Sequence, residues 1–545
     1  MPMQARAWQS ETSHDASPGG ARHPTLHAAA ARVGLFVLAI YLLSASSDLR
    51  HNGDTDLRYQ TTRAIVDHHR LWIAHPVAMG TRVAAGRGGH LYVSAYGPGQ
   101  IVLMVPLYVA GRILAGEFSL PSGTATLYAS RSLDLFLGAA LAVLFLYMAV
   151  SMGYGLSTAI LLTVLFALAT AAWPDAQSAL EQTQVSVCLL LAALATWRFV
   201  RGGLRDRRWL LLAGSATGFG LFTRYDFVIY VLLIAAFPAL RRLRSGETRQ
   251  ITRDWLAYAL AILPWIALLM LWNELRFGSP FNVALHLKTF GELPWVGFLG
   301  LTLSPGKGII WYVPLLFLLP CSLPALYRRS PVLAAFFCAL VLVTVVFYSN
   351  VLYWHGDPAW GPRYLYPALP YLVLPLGELF ARWRHQASAL KAAATLLIIL
   401  SLGIQVAAVS VNQWRFWYRL EAAQEHTGHQ FWWGPTRYEY YWIIPHSPLV
   451  IGMQNLYEVA RLDATGAQQY RLSKRPTACI GPQRCFSNPA RDYPINTLAF
   501  WWTDTRHPLF DARVQGAIAV ALLLIALESG GALLRVTGQE RRDLG

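Results

Sequence analysis

The chain has 545 residues, of which 55% are hydrophobic and only 14% are charged, and its formal net charge is +16. A soluble protein of this length does not need so much apolar sequence, so these values indicate a membrane protein. The basic residues are spread over short loops and are not gathered on one face, which argues against nucleic-acid binding.

Apolar runs of about 20 residues recur along the chain, and each is long enough to cross a hydrocarbon core of about 30 Å. We predict an all-α polytopic membrane protein, a bundle of about 12–13 transmembrane helices with a small external C-terminal module. The predicted spans are 28–46, 98–115, 129–150, 155–172, 181–199, 209–223, 226–240, 255–275, 309–326, 331–352, 361–380, 390–411 and 512–535.

Arginine-rich loops orient these spans, because short cytoplasmic loops are enriched in Lys and Arg. Counting back along alternate loops places 116–128 outside, together with the loop that contains Asp54. The segment 98–115 carries Pro98 and Pro106, so one interpretation is a re-entrant or interfacial segment. The alternative is that one early loop breaks the charge rule.

Ser44-Ala45-Ser46 resembles a signal-peptide cleavage site, but the long preceding tail favours an uncleaved anchor.

Four parts of the chain follow from this topology. The predicted parts are a cytoplasmic tail (1–27), a transmembrane core (28–412) with an external loop at 47–97, a Trp-rich external module (413–511), and a last helix with a cytoplasmic tail (512–545).

Two cysteines lie close together in the external module, Cys479 and Cys485. A short disulfide loop is chemically permitted on that side of the membrane, and the alternative is two free thiols.

The external loop 47–97 begins with two carboxylates, Asp54 and Asp56. A helical pattern follows from Leu57 to Trp72, with Arg58 and Thr62 off its apolar face, and it predicts an interfacial helix that holds the acids at headgroup depth. The alternative is that both acids are ordinary solvated loop residues.

Three cations are predicted on the same outer side. Arg363 begins a span in the turn that also holds His355 and Tyr364, and a guanidinium there is costly unless it meets an anion. Arg224 either contributes to an anion site or pairs with Asp226 at the membrane edge. Lys307, in Ser304-Pro305-Gly306-Lys307-Gly308, either faces an anion or is a snorkelling interface lysine.

These motifs together resemble the GT-C superfamily of integral-membrane glycosyltransferases, in particular the branch of protein O-mannosyltransferases and the aminoarabinose lipid A transferase. The matching segments follow one another in the expected order between about residues 30 and 380. They are Gly53-Asp54-Thr55-Asp56 with Tyr59, Tyr96-Gly97-Pro98-Gly99-Gln100, Arg131, Thr223-Arg224-Tyr225-Asp226, Ser304 to Gly308, and Trp360-Gly361-Pro362-Arg363-Tyr364.

The resemblance implies transfer of a sugar from a polyprenyl-phosphate donor to a lipid, glycan or protein acceptor, at the outer face of a bacterial inner membrane. It implies that Asp54 is the general base, with Asp56 beside it. The implied donor phosphate-binding residues are Arg224, Lys307, His355, Arg363 and Tyr364. Tyr59, Tyr96 and Gln100 are implied to contact substrate in the loop.

These motifs establish no cofactor, and a divalent metal at Asp54 and Asp56 is one alternative, because their spacing holds a metal in some relatives but not in all. Two other functions stay open at this point. One is a transporter or flippase of a lipid-linked or anionic solute, whose path the cations would line. The other is a non-catalytic assembly subunit that retains the fold.

Overall fold

The structure is a computed structural model. It describes residues 23–47, 53–73, 83–87, 92–283, 290–356, 359–413, 415–416, 419, 441–465, 477–479, 485–487, 497–503 and 509–543. Trp414, Trp417, Trp432 and Trp433 of the predicted Trp-rich module lie outside these residues.

Helices make up nearly all of the secondary structure. The α-helices are α1 (His23–Leu43), α2 (Gly53–His68), α3 (Gly99–Glu117), α4 (Ser122–Arg131), α5 (Leu133–Ser151), α6 (Leu156–Leu168), α7 (Ala172–Ser178), α8 (Gln182–Arg201), α9 (Arg208–Thr223), α10 (Val228–Arg244), α11 (Thr248–Phe277), α12 (Pro294–Thr302), α13 (Ile309–Tyr312), α14 (Leu319–Arg329), α15 (Pro331–Ser349), α16 (Leu369–Val373), α17 (Gly377–Ala381), α18 (Ser388–Ser410), α19 (Pro448–Thr465) and α20 (Ala512–Asp543). Short 3₁₀ turns include Tyr225–Phe227, Pro314–Leu318 and Arg363–Ala368.

The β-strands among the described residues form two small hairpins. β1 (Val83–Ala85) pairs antiparallel with β2 (Tyr92–Ser94), and β3 (Thr477–Cys479) pairs antiparallel with β4 (Cys485–Ser487). Cys479 and Cys485 stand directly opposite each other in the second hairpin. The disulfide between them stays a prediction.

The prediction of an all-α polytopic membrane protein is confirmed. Among the described residues, 8 helices are long and apolar enough to cross a membrane, or up to 9 if the bent pair α6 and α7 counts as one span. Each coincides with a predicted span, and the one that includes α5 begins earlier, at Ser122.

The other four predicted spans form shorter or interrupted helices. Those at 209–223 and 226–240 are α9 and α10, of 16 and 17 residues. The span at 309–326 is broken at Val313–Pro314, and that at 361–380 is a series of 3₁₀ and α turns. Proline explains both breaks, because it lacks the backbone N–H that continues a helix.

The two ends of the bundle differ in chemistry. At one end arginines bind helix termini and acids: Arg329 donates to the Met152 carbonyl at 2.6 Å, and Arg242 pairs with Asp254 at 2.9 Å. At the other end lie Asp54, Arg224 and Arg363. We refer to these as the arginine-rich end and the site end.

Helix α2 begins earlier than predicted. Asp54 and Asp56 lie in its first turn and not in a preceding loop, because carboxylates are favourable near the positive end of a helix dipole. The prediction that Arg58 and Thr62 lie off the packed face was wrong, since they are 1% and 0% exposed. Arg58 is buried because Glu181 pairs with it.

Helix α3, which corresponds to the ambiguous segment 98–115, leaves the bundle at the site end. Its first turn meets the first turn of α5, where Gln100 donates to Asp134 at 3.0 Å. From there α3 packs along α2 and α4 and only briefly on α5. Its outer face is apolar and exposed, with Ile113 59% exposed. This packing favours the interfacial alternative over a crossing.

We therefore expect a cysteine at Glu117, at the far end of α3, to react with a membrane-impermeant thiol reagent from outside the cell. Phe281→Cys is the external control and Arg205→Cys the cytoplasmic control, all in a background without native cysteines. The reason is that a helix lying along the surface keeps both ends on one side. Labelling of Glu117→Cys only from the cytoplasm would show that α3 crosses the membrane.

Candidate active site

A buried carboxylate, Glu181, organises the site end. It lies just before α8 and accepts hydrogen bonds from Arg58 of α2 and from Arg224, which follows α9. Burial would raise the pKa of this carboxyl, but Arg58 and Arg224 outweigh burial and lower the pKa to about 2. Glu181 is therefore ionised at neutral pH and joins three separate chain segments.

Arg224 is held by a second acid as well. Its guanidinium pairs with Asp226, whose carboxylate also accepts a hydrogen bond from Tyr348 at 2.6 Å. The ring of Tyr348 stacks on Tyr364 with centroids 4.5 Å apart. The Arg224–Asp226 ion pair considered from sequence is thus present, and most of the Arg224 donors point to acids.

Asp54 faces a different guanidinium. Its carboxylate lies 4.0 Å from Arg363, at the limit of an ion pair, and its side chain is 24% exposed. Arg363 is only 8% exposed, and in the described part of the chain its Nε atom has no hydrogen-bond partner. A partly accessible carboxylate therefore stands beside a buried guanidinium that has a donor to spare.

Tyr96 lies between these charges. The Arg58 guanidinium covers its ring at 3.9 Å from the centroid. Burial, and next the charge of Asp54, raise the pKa of the Tyr96 hydroxyl well above its ordinary value. Tyr96 is therefore a protonated neighbour of Asp54.

The glycines of the Tyr96 to Gln100 motif allow close packing against another segment. A Cβ atom added at Gly97 or Gly99 would overlap Thr223, the residue before Arg224. Arg276 holds the same loop from the other side, since it donates to the backbone carbonyls of Ser94 and Tyr96. The loop is thereby fixed between α9 and α11.

Thr55 and Gln100 lie beneath Asp54. The Thr55 hydroxyl donates to the Ala179 carbonyl at 3.1 Å, and Gln100 reaches the same carbonyl at 3.5 Å and Asp134 at 3.0 Å. Ala179 precedes Glu181 by two residues and has a left-handed φ of 53°. These contacts align the starts of α2, α3 and α5 under the site.

The remaining predicted site residues lie elsewhere. Tyr59 packs against α4, where its hydroxyl is 2.9 Å from that of Thr126. Asp56 accepts a hydrogen bond from Gln60 of its own helix. Lys307 and His355 are both 1% exposed and lie with Tyr441 behind the turn that carries Arg363. The snorkelling interpretation of Lys307 was therefore wrong.

The metal considered for Asp54 and Asp56 does not fit this geometry. Residues two apart on a helix point to different sides, so the carboxylates do not converge. In the part of the chain that the structure describes, no group of three or more His, Cys, Asp and Glu side chains suits a metal. Arg363 supplies the positive charge beside Asp54.

Sequence reasoning missed Arg58, Glu181, Asp134 and Arg276. Glu181 and Asp134 had a usable signal, because ionisable residues at or within apolar spans are costly and are retained with a partner or a function. Arg58 and Arg276 had none, since an arginine near a helix end is ordinary in a membrane protein.

The solved structures that are similar to this chain include three described here. Two are of ArnT from Cupriavidus metallidurans. The structure bound to undecaprenyl phosphate has 14% identity and a TM-score of 0.45 over 84% of this chain and 83% of that one. The apo structure has 15% identity and a TM-score of 0.45 over 78% and 75%. The third is the apo oligosaccharyltransferase of Archaeoglobus fulgidus, with 13% identity and a TM-score of 0.42 over 78% and 61%.

No family model matches the chain, and no curated protein matches it.

The lowered pKa of Glu181 makes a prediction about stability. A carboxyl stabilises the fold when its pKa in the folded state lies below its pKa in the unfolded state. For Glu181 this stabilisation is complete above the unfolded pKa of about 4.5 and is lost as the pH falls towards 2. Glu181→Gln should therefore cost about 3 kcal/mol at neutral pH. The free energy of unfolding, measured by thermal unfolding in detergent, should differ between wild type and Glu181→Gln by a constant amount from about pH 5 to pH 8.

Below about pH 4.5 the difference between wild type and Glu181→Gln should shrink. Glu247→Gln is a suitable control, because Glu247 is half exposed at the arginine-rich end. A difference that is unchanged at pH 3 would contradict the ionised network around Glu181.

Proposed function

We propose that this protein is a glycosyltransferase that moves a sugar from a polyprenyl-phosphate donor to an acceptor at the external face of a membrane. We further propose that Asp54 is its general base. The single observation that carries the proposal is the Asp54–Arg363 pair, a partly accessible carboxylate 4.0 Å from a buried guanidinium. Glu181 and Asp226, in contrast, are already held by Arg58 and Arg224.

The pair matches the needs of an inverting transfer. Asp54 accepts the proton of the acceptor hydroxyl while that oxygen forms a bond to the anomeric carbon of the sugar. The bond between that carbon and the phosphate oxygen breaks on the opposite face. The electron pair leaves with the polyprenyl phosphate, so negative charge develops at the phosphate and not at Asp54.

Arg363 is suited to stabilise that charge. A buried guanidinium forms strong bidentate contacts with phosphate. Arg363 has such a guanidinium, and its Nε donor has no partner among the described residues. Arg224 lies close enough for its charge to act on Arg363, and Tyr364 stacks beside both. Phosphate contacts by Arg224, Tyr364, His355 and Lys307 stay predictions.

The placement in the cell is part of the proposal. Arginines gather at the end of the bundle opposite Asp54, and the positive-inside rule puts such an end in the cytoplasm. The site would then open outward from a bacterial inner membrane, where polyprenyl-phosphate carriers present their sugars. The acceptor is a hydroxyl-bearing lipid, glycan or protein.

The role of Asp54 is tested by Asp54→Asn, with Asp56→Asn as the matched control two residues along the same helix. We expect Asp54→Asn to lower turnover by about 100-fold or more while folding and membrane insertion are unchanged, because only the proton acceptor is lost. Turnover is measured on purified protein with a polyprenyl-phosphate-linked sugar. Near-native turnover of Asp54→Asn would exclude Asp54 as the base.

The role of Arg363 is tested by Arg363→Lys, which replaces a bidentate group by a point charge. Donor binding should weaken by about 1–3 kcal/mol, while the KM for the acceptor changes little. Arg382→Lys, an exposed arginine at the other end of the bundle, is the control. An unchanged donor affinity together with a lowered melting temperature would show that Arg363 is structural.

A further inference from the structure

We infer that Lys307 is a positioning residue that holds the turn 359–363, so that Arg363 stands beside Asp54. This inference rests on the proposed function for its catalytic consequence, whereas its structural part concerns the turn alone. It gives Lys307 a different role from the phosphate contact that the sequence motifs imply.

The ammonium group of Lys307 is directed into the protein. Its side chain is buried, and Nζ donates to the carbonyl oxygens of Ala359 at 2.6 Å and Gly361 at 3.1 Å. The same Nζ lies 5.4 Å from the ring centroid of Tyr441. Both carbonyls belong to the turn that leads into Arg363, so the charged group of Lys307 interacts with backbone dipoles of that turn.

The carbonyl of Gly361 connects Lys307 to Arg363. It accepts Nζ of Lys307 and also the backbone N–H of Arg363 at 3.1 Å. Gly361 has a φ of +67°, a conformation that an L-residue adopts only with strain. The backbone of Arg363 is thus tied to Lys307 through one peptide group.

Two tyrosines connect the same turn and the segment of Lys307. Tyr366 donates to the carbonyl of Trp360. Tyr312 lies against Gly361 and donates to the carbonyl of Gly306, the residue before Lys307, at 2.7 Å. The turn and the segment of Lys307 therefore form one hydrogen-bonded unit.

The side chain of Arg363 is confined on its other side. A Cβ atom at Gly356 would lie 2.7 Å from the Cγ atom of Arg363, so the arginine stem occupies the space that a side chain there would fill. Its guanidinium has one acid within ion-pair range in the described chain, Asp54 at 4.0 Å. Because this distance is already at the limit of an ion pair, a shift of about 1 Å in the turn would separate the two groups.

The structural part is tested by amide hydrogen exchange over residues 359–366. Lys307→Met keeps the size of the side chain but removes the Nζ donor from the carbonyls of Ala359 and Gly361, so exchange should become about tenfold faster there. Lys307→Arg keeps donors and should stay within about threefold of wild type. Lys391→Met, which removes an exposed lysine at the arginine-rich end, is the matched control and should change nothing in this segment.

The functional part is tested by a double-mutant cycle with undecaprenyl phosphate as the probe, measured as binding to purified protein in nanodiscs. Lys307→Met should weaken binding about tenfold when Arg363 is present, and less than about twofold in an Arg363→Met background. Penalties that simply add would mean that Lys307 contacts the phosphate itself, and the inference would be overturned.

The two parts fail separately. If exchange over 359–366 is the same in Lys307→Met and wild type, the positioning role is wrong whatever the donor is. If wild type does not bind undecaprenyl phosphate, the proposed donor is wrong, and the exchange measurement still decides the role of Lys307. Should Lys307→Met not fold, Lys307→Arg and Lys307→Gln replace it, and the expected order of exchange rates is Gln faster than Arg.

Discussion

The site end depends on the burial of one carboxylate between two guanidiniums. Arg58 and Glu181 are almost inaccessible to solvent, and either charge alone would be costly there. Together with Arg224 they form a network in which each charge is compensated by a neighbour. The consequence is geometric, because α2, the start of α8 and the end of α9 can meet only in the arrangement that satisfies Glu181.

The network also divides the cations of the site by task. Arg58 and Arg224 are held by Glu181, and Arg224 is held by Asp226 as well. Lys307 is occupied by backbone carbonyls. Arg363 differs from Arg58 and Arg224 in that its acid contact is long, 4.0 Å to Asp54, and its Nε atom has no partner among the described residues. A phosphate that enters beside Asp54 would therefore meet a cation that is not already neutralised at close range.

Glycine makes these close approaches sterically feasible. Gly97 and Gly99 let the loop before α3 lie directly on Thr223, and Gly356 leaves space for the stem of Arg363. In each case the absent Cβ atom is replaced by another part of the site. The glycines of the Tyr96 motif are thus explained by packing against a distant segment, and Gly356 is explained by the nearby side chain of Arg363.

The sequence by itself determined the class of the protein and most of its spans, and the outer position of Asp54, Arg224 and Arg363 stays a prediction. The length of an apolar segment and the arginine content of a loop are local properties of the sequence. A polar group in the membrane is unfavourable in any arrangement of the helices, so these properties can be interpreted without the tertiary structure. The contact between Asp54 and Arg363 could not be derived from the sequence, because the two residues are more than 300 positions apart.

Tertiary structure alone decided which charges neutralise one another. Arg58 looked like a solvent-facing residue of an interfacial helix, and it is buried because Glu181, 123 residues later, lies opposite. Lys307 looked like an anion-binding cation, and it faces carbonyls because the turn 359–363 packs over it. The free energy of a buried charge depends on the partner within a few ångströms, and the position of that partner is set by the packing of helices and not by spacing along the chain.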